Sequence, residues 1–139
     1  MPRIGALLSL SREHHTSLVM ARTARRAANE DGHGVMARAV VMTAAIASIE
    51  AHWHTVMAAH FEKEERLIQM ARDMLDPQAV TRVLAEHAEL RILAAGPCEL
   101  EPAARLQRFA DLVSAHVRYE ERTLFPQLQC HPCVTEADP

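Results

Sequence analysis

Histidine is the outlying residue type in this chain, with nine histidines against one tryptophan and one tyrosine. Imidazole is the commonest transition-metal ligand and the side chain that titrates near neutrality, so where these nine fall decides the chemistry available. His60 and Glu64 lie four residues apart, as do His116 and Glu120. At 100° per residue, this spacing puts each pair on one helix face, within reach of one metal site. Trp53, Met57 and Ile68 continue the first stripe, with Val56 and Leu67 at its edge; Phe109, Leu112, Val113 and Leu124 continue the second. Both pairs therefore interrupt apolar, core-facing stripes, where a carboxylate is costly unless paired or bound to a metal.

Four helices are expected to position them. Helix A runs from Ser11, a plausible N-cap, to about Glu30, where Asp31-Gly-His-Gly34 breaks it. Helix B runs from Val35 to about Met74, long enough to call for a protruding first half or a kink around residues 44 to 50. Asp76-Pro77 caps helix C, which continues to Ala95 before Gly96-Pro97. Helix D opens near Pro102 and closes near Phe125-Pro126, and residues 127 to 139 read as a loose tail. Short loops between four helices make an all-α, up-down-up-down bundle the simplest packing. Ala59-His-Phe-Glu-Lys-Glu-Glu-Arg66 and Ala115-His-Val-Arg-Tyr-Glu-Glu-Arg122 form an internal repeat, echoed weakly by Glu13-His-His-Thr-Ser-Leu18 and Glu86-His-Ala-Glu-Leu90. The chain thus reads as two helical hairpins, each with one His helix and one His-xxx-Glu helix.

Helix A offers His14 and His15. Leu18 and Val19 lie three and four residues beyond His15, so the spacing favours His15; Leu90 stands in the same relation to His87. The expected ligand set is His15, His60, Glu64, His87, His116 and Glu120. Four imidazoles and two carboxylates suit two first-row ions bridged by the carboxylates, iron before manganese or zinc, since structural zinc more often recruits thiolate.

These residues, taken as Glu13-His-His-Thr-Ser-Leu18, His60-Phe-Glu-Lys-Glu64, Glu86-His87 and His116-Val-Arg-Tyr-Glu120, resemble the hemerythrin-like, or HHE cation-binding, domains. The resemblance spans residues of about 11 to 126 within a single domain of 1 to 139. It implies a four-helix bundle holding two non-haem irons that binds, senses or reduces O2, NO or H2O2. A carrier or storage module is the alternative, and whether the chain is an enzyme stays open. Oxygen carriers of the family have a further ligand His on helix C where this chain has Arg91, which cannot lose its proton and is no ligand. That departure favours ligand reduction or sensing over reversible carriage. A redox or signalling partner is then expected.

Other residues are assigned away from the centre. Glu62, Glu65 and Glu121 are read as solvated, and His52 and His54 as flanking. His33 falls in a turn and His131 in the tail. Tyr119 either reaches toward the ligands or lies at a helix edge, and Arg22 is expected to cap the core with its charge in water. Cys130-His-Pro-Cys133 is a weak redox or zinc signal in the tail, with Cys98 as a remote third thiol. Hydrophobic residues at 49% and charged residues at 24% are ordinary for a globular chain. A formal charge of −3 with no basic stripe argues against nucleic acid. No stretch of about 18 apolar residues and a short apolar start argue against a membrane span or secretion signal, leaving a cytoplasmic location as the expectation.

Overall fold

The computed structural model describes residues 3–29 and 34–135, all helix and loop, with no strand among them. Seven α-helices follow one another: α1 Ala6–Asn29, α2 Val35–His52, α3 Ala58–Ala71, α4 Pro77–Ala95, α5 Pro102–Tyr119, α6 Phe125–Leu128 and α7 Pro132–Thr135. A π-helical turn, Trp53–Met57, joins α2 to α3, and a second, Glu120–Leu124, joins α5 to α6. Val35 to Met74 is therefore one continuous helical run, as its length suggested, but its departure from α geometry lies at 53–57 rather than 44–50.

Local chemistry explains most boundaries. The Asp76 carboxylate accepts the Gln78 N–H at 3.0 Å, and Pro77 occupies the first turn of α4, where its missing N–H costs nothing. Gly96, at φ 72°, ends the helix in a conformation that side chains disfavour. Helix α1 begins at Ala6, more than a turn before Ser11, which brings Leu7 and Leu10 into the core. The Asp31-Gly-His33 break lies outside the described residues.

Two apolar clusters flank a polar layer. One gathers Ala21, Ala24, Ile49, Trp53, Phe61, Leu90, Leu106 and Phe109; the other gathers Leu7, Leu10, Ile68, Val83, Leu124, Phe125 and Leu128. The stripe of α1 through the first cluster is Ser17, Ala21, Ala24 and Ala28, small residues that let α1 lie close against α5, its principal neighbour. Residues 127–135 of the tail, the part described, are packed rather than loose. Val134 is fully buried in the second cluster, and its carbonyl sits against Gly5, whose φ of 57° leaves no room for a Cβ.

Helix α2 differs from the rest. Only Ala45, Ile49 and His52 are buried, while Val35, Met36 and Val40 are exposed. Contrary to the sequence expectation, Val35–Met74 is long and apolar enough to cross a membrane by length and composition, a test that core helices of soluble proteins also pass. The reason is that Arg38 and Glu50 are the only charges between Val35 and His52.

A buried candidate metal centre

Between the two apolar clusters, α1, α3, α4, α5 and the turn after α5 bring six donors together. His14, His60, Glu64, His87, His116 and Glu120 are all buried, the two carboxylates completely. Their donor atoms form two groups, each with atoms within 4.8 Å of one another: His14, His60, Glu64 and Glu120, and His87, His116, Glu64 and Glu120. Both glutamates belong to both groups.

Five of the six residues expected from the sequence meet here; the sixth does not. His15 is exposed and His14 takes its place. The core stripe of α1 is Leu7, Leu10, His14, Ser17, Ala21 and Ala24, whereas Leu18 is half-buried and Val19 exposed. Beyond His14, the larger side chains Leu18 and Val19 thus misstate the inner face of α1, because close helix packing selects small ones there. Arg22, aligned with His15, is likewise exposed on the outer face rather than capping the core.

Each ring points its Nε2 inward. His60 Nε2 lies 3.0 Å from Glu64 Oε2, and His87 Nε2 lies 3.0 Å from Glu64 Oε1. His14 Nε2 is 2.9 Å from Glu120 Oε1, and His116 Nε2 is 3.3 Å from Glu120 Oε2. Each carboxylate therefore offers one oxygen to each histidine pair. The pairs match in spacing too: ring centroids are 4.9 Å apart for His14 and His60, and 4.9 Å for His87 and His116.

Despite those short separations, His60 Nε2, His87 Nε2, His116 Nε2, both Glu64 oxygens and Glu120 Oε2 have no hydrogen-bond partner. Buried polar atoms are ordinarily hydrogen-bonded, and leaving one unmatched costs about 1–3 kcal/mol. Six in one layer are not explained by folding alone. Inward nitrogens and carboxylate oxygens that converge on shared points are what a cation site presents, and within this layer only His14 Nε2 and Glu120 Oε1, 2.9 Å apart, are hydrogen-bonded to each other. The donor set fits a first-row metal ion on chemical grounds as well.

The outward nitrogens are also provided for. Nδ1 of His14 meets Glu121 at 2.7 Å, that of His60 meets Glu13 at 2.9 Å, that of His87 meets Glu65 at 2.7 Å, and that of His116 meets Glu86 at 2.7 Å. A carboxylate accepting the Nδ1–H fixes the tautomer and leaves the Nε2 lone pair free for a metal. Glu65 and Glu121, expected to be solvated, are thus tied to ligand rings; Glu62 is exposed as anticipated. Apolar residues stand one turn away on both sides, Phe61 and Ile68 for Glu65 and Val117 and Leu124 for Glu121, so the helical spacing did carry a signal for them. Arg3 and Ser11 hold Glu121 in turn, and Arg82 holds Glu86 at 3.2 Å.

Charges in the layer stabilise one another. Burial disfavours the imidazolium of His14, yet Glu120, Glu121 and Glu64 outweigh it and raise that ring to about 11. The same opposition raises His87 to about 10, through Glu120 and Glu64, and His116 to about 9, through Glu120 and Glu86. Burial raises the Glu64 and Glu120 carboxyls, but the surrounding rings win and hold both below the usual range.

Several other expectations change. Arg91 does not face the centre; it is exposed, 5.5 Å above the Trp53 ring, with Glu65 at 3.7 Å. His52 is buried rather than flanking and is bonded to Ser17 Oγ at 3.0 Å; burial, and then His60, push its pKa down. His54 is exposed, and His33 lies outside the described residues. His131 is half-exposed, 3.8 Å from Asp73 and remote from the centre. Tyr119 lies half-buried at the helix edge under the Arg82 guanidinium, 3.8 Å from its ring centre. All three cysteines are free thiols, and Cys98 packs on the opposite apolar cluster from Cys133.

Comparison with known proteins gives no matching family model, no matching curated protein and no matching solved structure.

Proposed function

We propose that this chain is a hemerythrin-like, dinuclear non-haem iron protein, an up-down-up-down four-helix bundle that binds and reduces or senses a small ligand such as H2O2, O2 or NO. In this reading His14 and His60 hold one ion, His87 and His116 the other, and Glu64 and Glu120 bridge them. The observation that carries it is the pair of buried four-residue groups that share both glutamates, within which six nitrogen and oxygen atoms have no hydrogen-bond partner. When bound, the irons supply a pair of redox-active Lewis acids to a ligand beside them.

The protein's own residues do the remaining work. Glu13, Glu65, Glu86 and Glu121 hold the four rings in the ligating tautomer. Phe61 stacks on His87 at 3.9 Å and Phe125 on His14 at 5.2 Å, so two ligand rings are fixed by apolar neighbours that also exclude water. Each group would offer an ion two imidazoles and two carboxylate oxygens from the chain. That is fewer than the six donors of an octahedral ion, which supports ligand binding over a closed structural site. The test is anaerobic reconstitution with ferrous iron, followed by optical and Mössbauer spectra during additions of H2O2, O2 and NO. A spin-coupled diferric spectrum that responds to at least one ligand is expected. Mononuclear spectra, or a coupled centre indifferent to all three, would overturn the proposal.

A further inference from the structure

One buried polar pair takes no part in the proposed ligand set: Ser17 Oγ and His52 Nε2, 3.0 Å apart. Ser17 lines a cavity of about 10 Å³ next to the centre, space for roughly one water-sized molecule. His14, His60 and His116 form part of its wall, and the remaining walls are apolar side chains, among them Met57 and Phe61. The Ser17 hydroxyl is therefore the one side-chain hydrogen-bonding group there apart from the ligand histidines.

His52 decides how that hydroxyl can act. Serine is both donor and acceptor, and a neutral imidazole nitrogen is one or the other. If the hydroxyl donates to His52 Nε2, its lone pairs are left to accept from a protic ligand. If His52 donates from Nε2, the hydroxyl proton is free to point at an anionic or lone-pair-bearing ligand. The first arrangement rewards a protic ligand and the second an anionic one, and neither rewards an apolar diatomic.

We propose, resting on the dinuclear-iron reading, that Ser17 oriented by His52 is a specificity-determining pair that selects hydrogen peroxide or its anion over NO in the cavity beside the centre. Ser17 touches the ligand; His52 is a positioning residue. Azide, a small anion whose terminal atom can fill that water-sized space, is the probe.

The experiment titrates azide into the diferric protein and NO into the diferrous protein, for wild type, Ser17→Ala and His52→Phe, with iron measured in each. A hydrogen bond to a charged group is worth enough to weaken azide about 10- to 100-fold in both variants, while NO changes by less than about 2-fold. Ser17→Thr, which keeps the hydroxyl, restores azide affinity. In the iron-free protein, the ¹⁵N resonance of His52 Nε2 moves on Ser17→Ala, a readout independent of the metal. Unchanged azide affinity with iron fully bound overturns the inference, as does an equal loss for NO. Failure of the wild type to bind iron overturns the underlying reading instead.

Discussion

The two histidine pairs are built alike at their inner ends and differently around them. Both place two Nε2 atoms against one oxygen each of Glu64 and Glu120, and both anchor every Nδ1 on a carboxylate. Around His87 the layer is closed by Phe61, whose ring lies parallel to the imidazole at 3.9 Å. Around His14, His60 and His116 it opens onto the cavity that carries Ser17. The matching features follow from the sequence repeat; the differences come from Phe61, which stands opposite Val117 in that repeat, and from Ser17 on α1. In the proposed reading, the symmetry would hold two ions and its breakdown would admit a ligand.

The strongest way to break this comparison is to remove what the pairs share. Glu64→Ala or Glu120→Ala should take bound iron from about two per chain to below one, by elemental analysis, because each carboxylate supplies both ions. His14→Ala and His87→Ala should each leave about one iron, since each belongs to one half. His15→Ala should retain both. Two irons retained in Glu64→Ala would show that the halves are independent.

Protons provide a second test. In the metal-free protein, His14, His87 and His116 are protonated at neutrality, so loading at pH 7 should release about three protons, measurable by calorimetry in buffers of different ionisation enthalpy. The raised rings stabilise the metal-free fold fully below their unfolded value of 6.5, and that contribution is lost as pH rises through about 9 to 11. The lowered Glu64 and Glu120 contribute above the ordinary carboxyl value of 4.5 and lose it as pH falls through their folded values. Denaturant unfolding of metal-free protein should therefore show weakening on alkalisation, whereas the loaded protein should release metal on acidification. Uptake without proton release would contradict the charge arrangement.

Smaller effects sharpen the outer contrast. Glu65→Gln and Glu121→Gln should each weaken metal about 10- to 100-fold, the cost typical of losing a ring's outer carboxylate. Arg91→Ala should change it less, because Arg91 reaches the centre only through Glu65 at 3.7 Å. Competition titrations against a chelator of known affinity would rank them.

The sequence made the His-xxx-Glu helices legible because large apolar residues surround both motifs, and all of Trp53, Met57, Ile68, Phe109, Leu112, Val113 and Leu124 are buried. It concealed α1 for the opposite reason: the inner face there is alanine and serine, while Val19, which suggested His15, points to water. Following the spacing Leu7, Leu10, His14, Ser17, Ala21 would have found the right histidine. The roles of Glu65, Glu121 and His52 were hidden differently, since they depend on contacts across helices. The tail carried a signal that was missed, because Leu128 and Val134 are spaced to cover the second cluster.

Whether two ions share Glu64 and Glu120 can be read directly by anomalous-difference crystallography at the iron edge. The expected result is two peaks in the polar layer, one between the Nε2 atoms of His14 and His60 and one between those of His87 and His116, with both carboxylates spanning them. A single peak, or peaks away from Glu64 and Glu120, would contradict it.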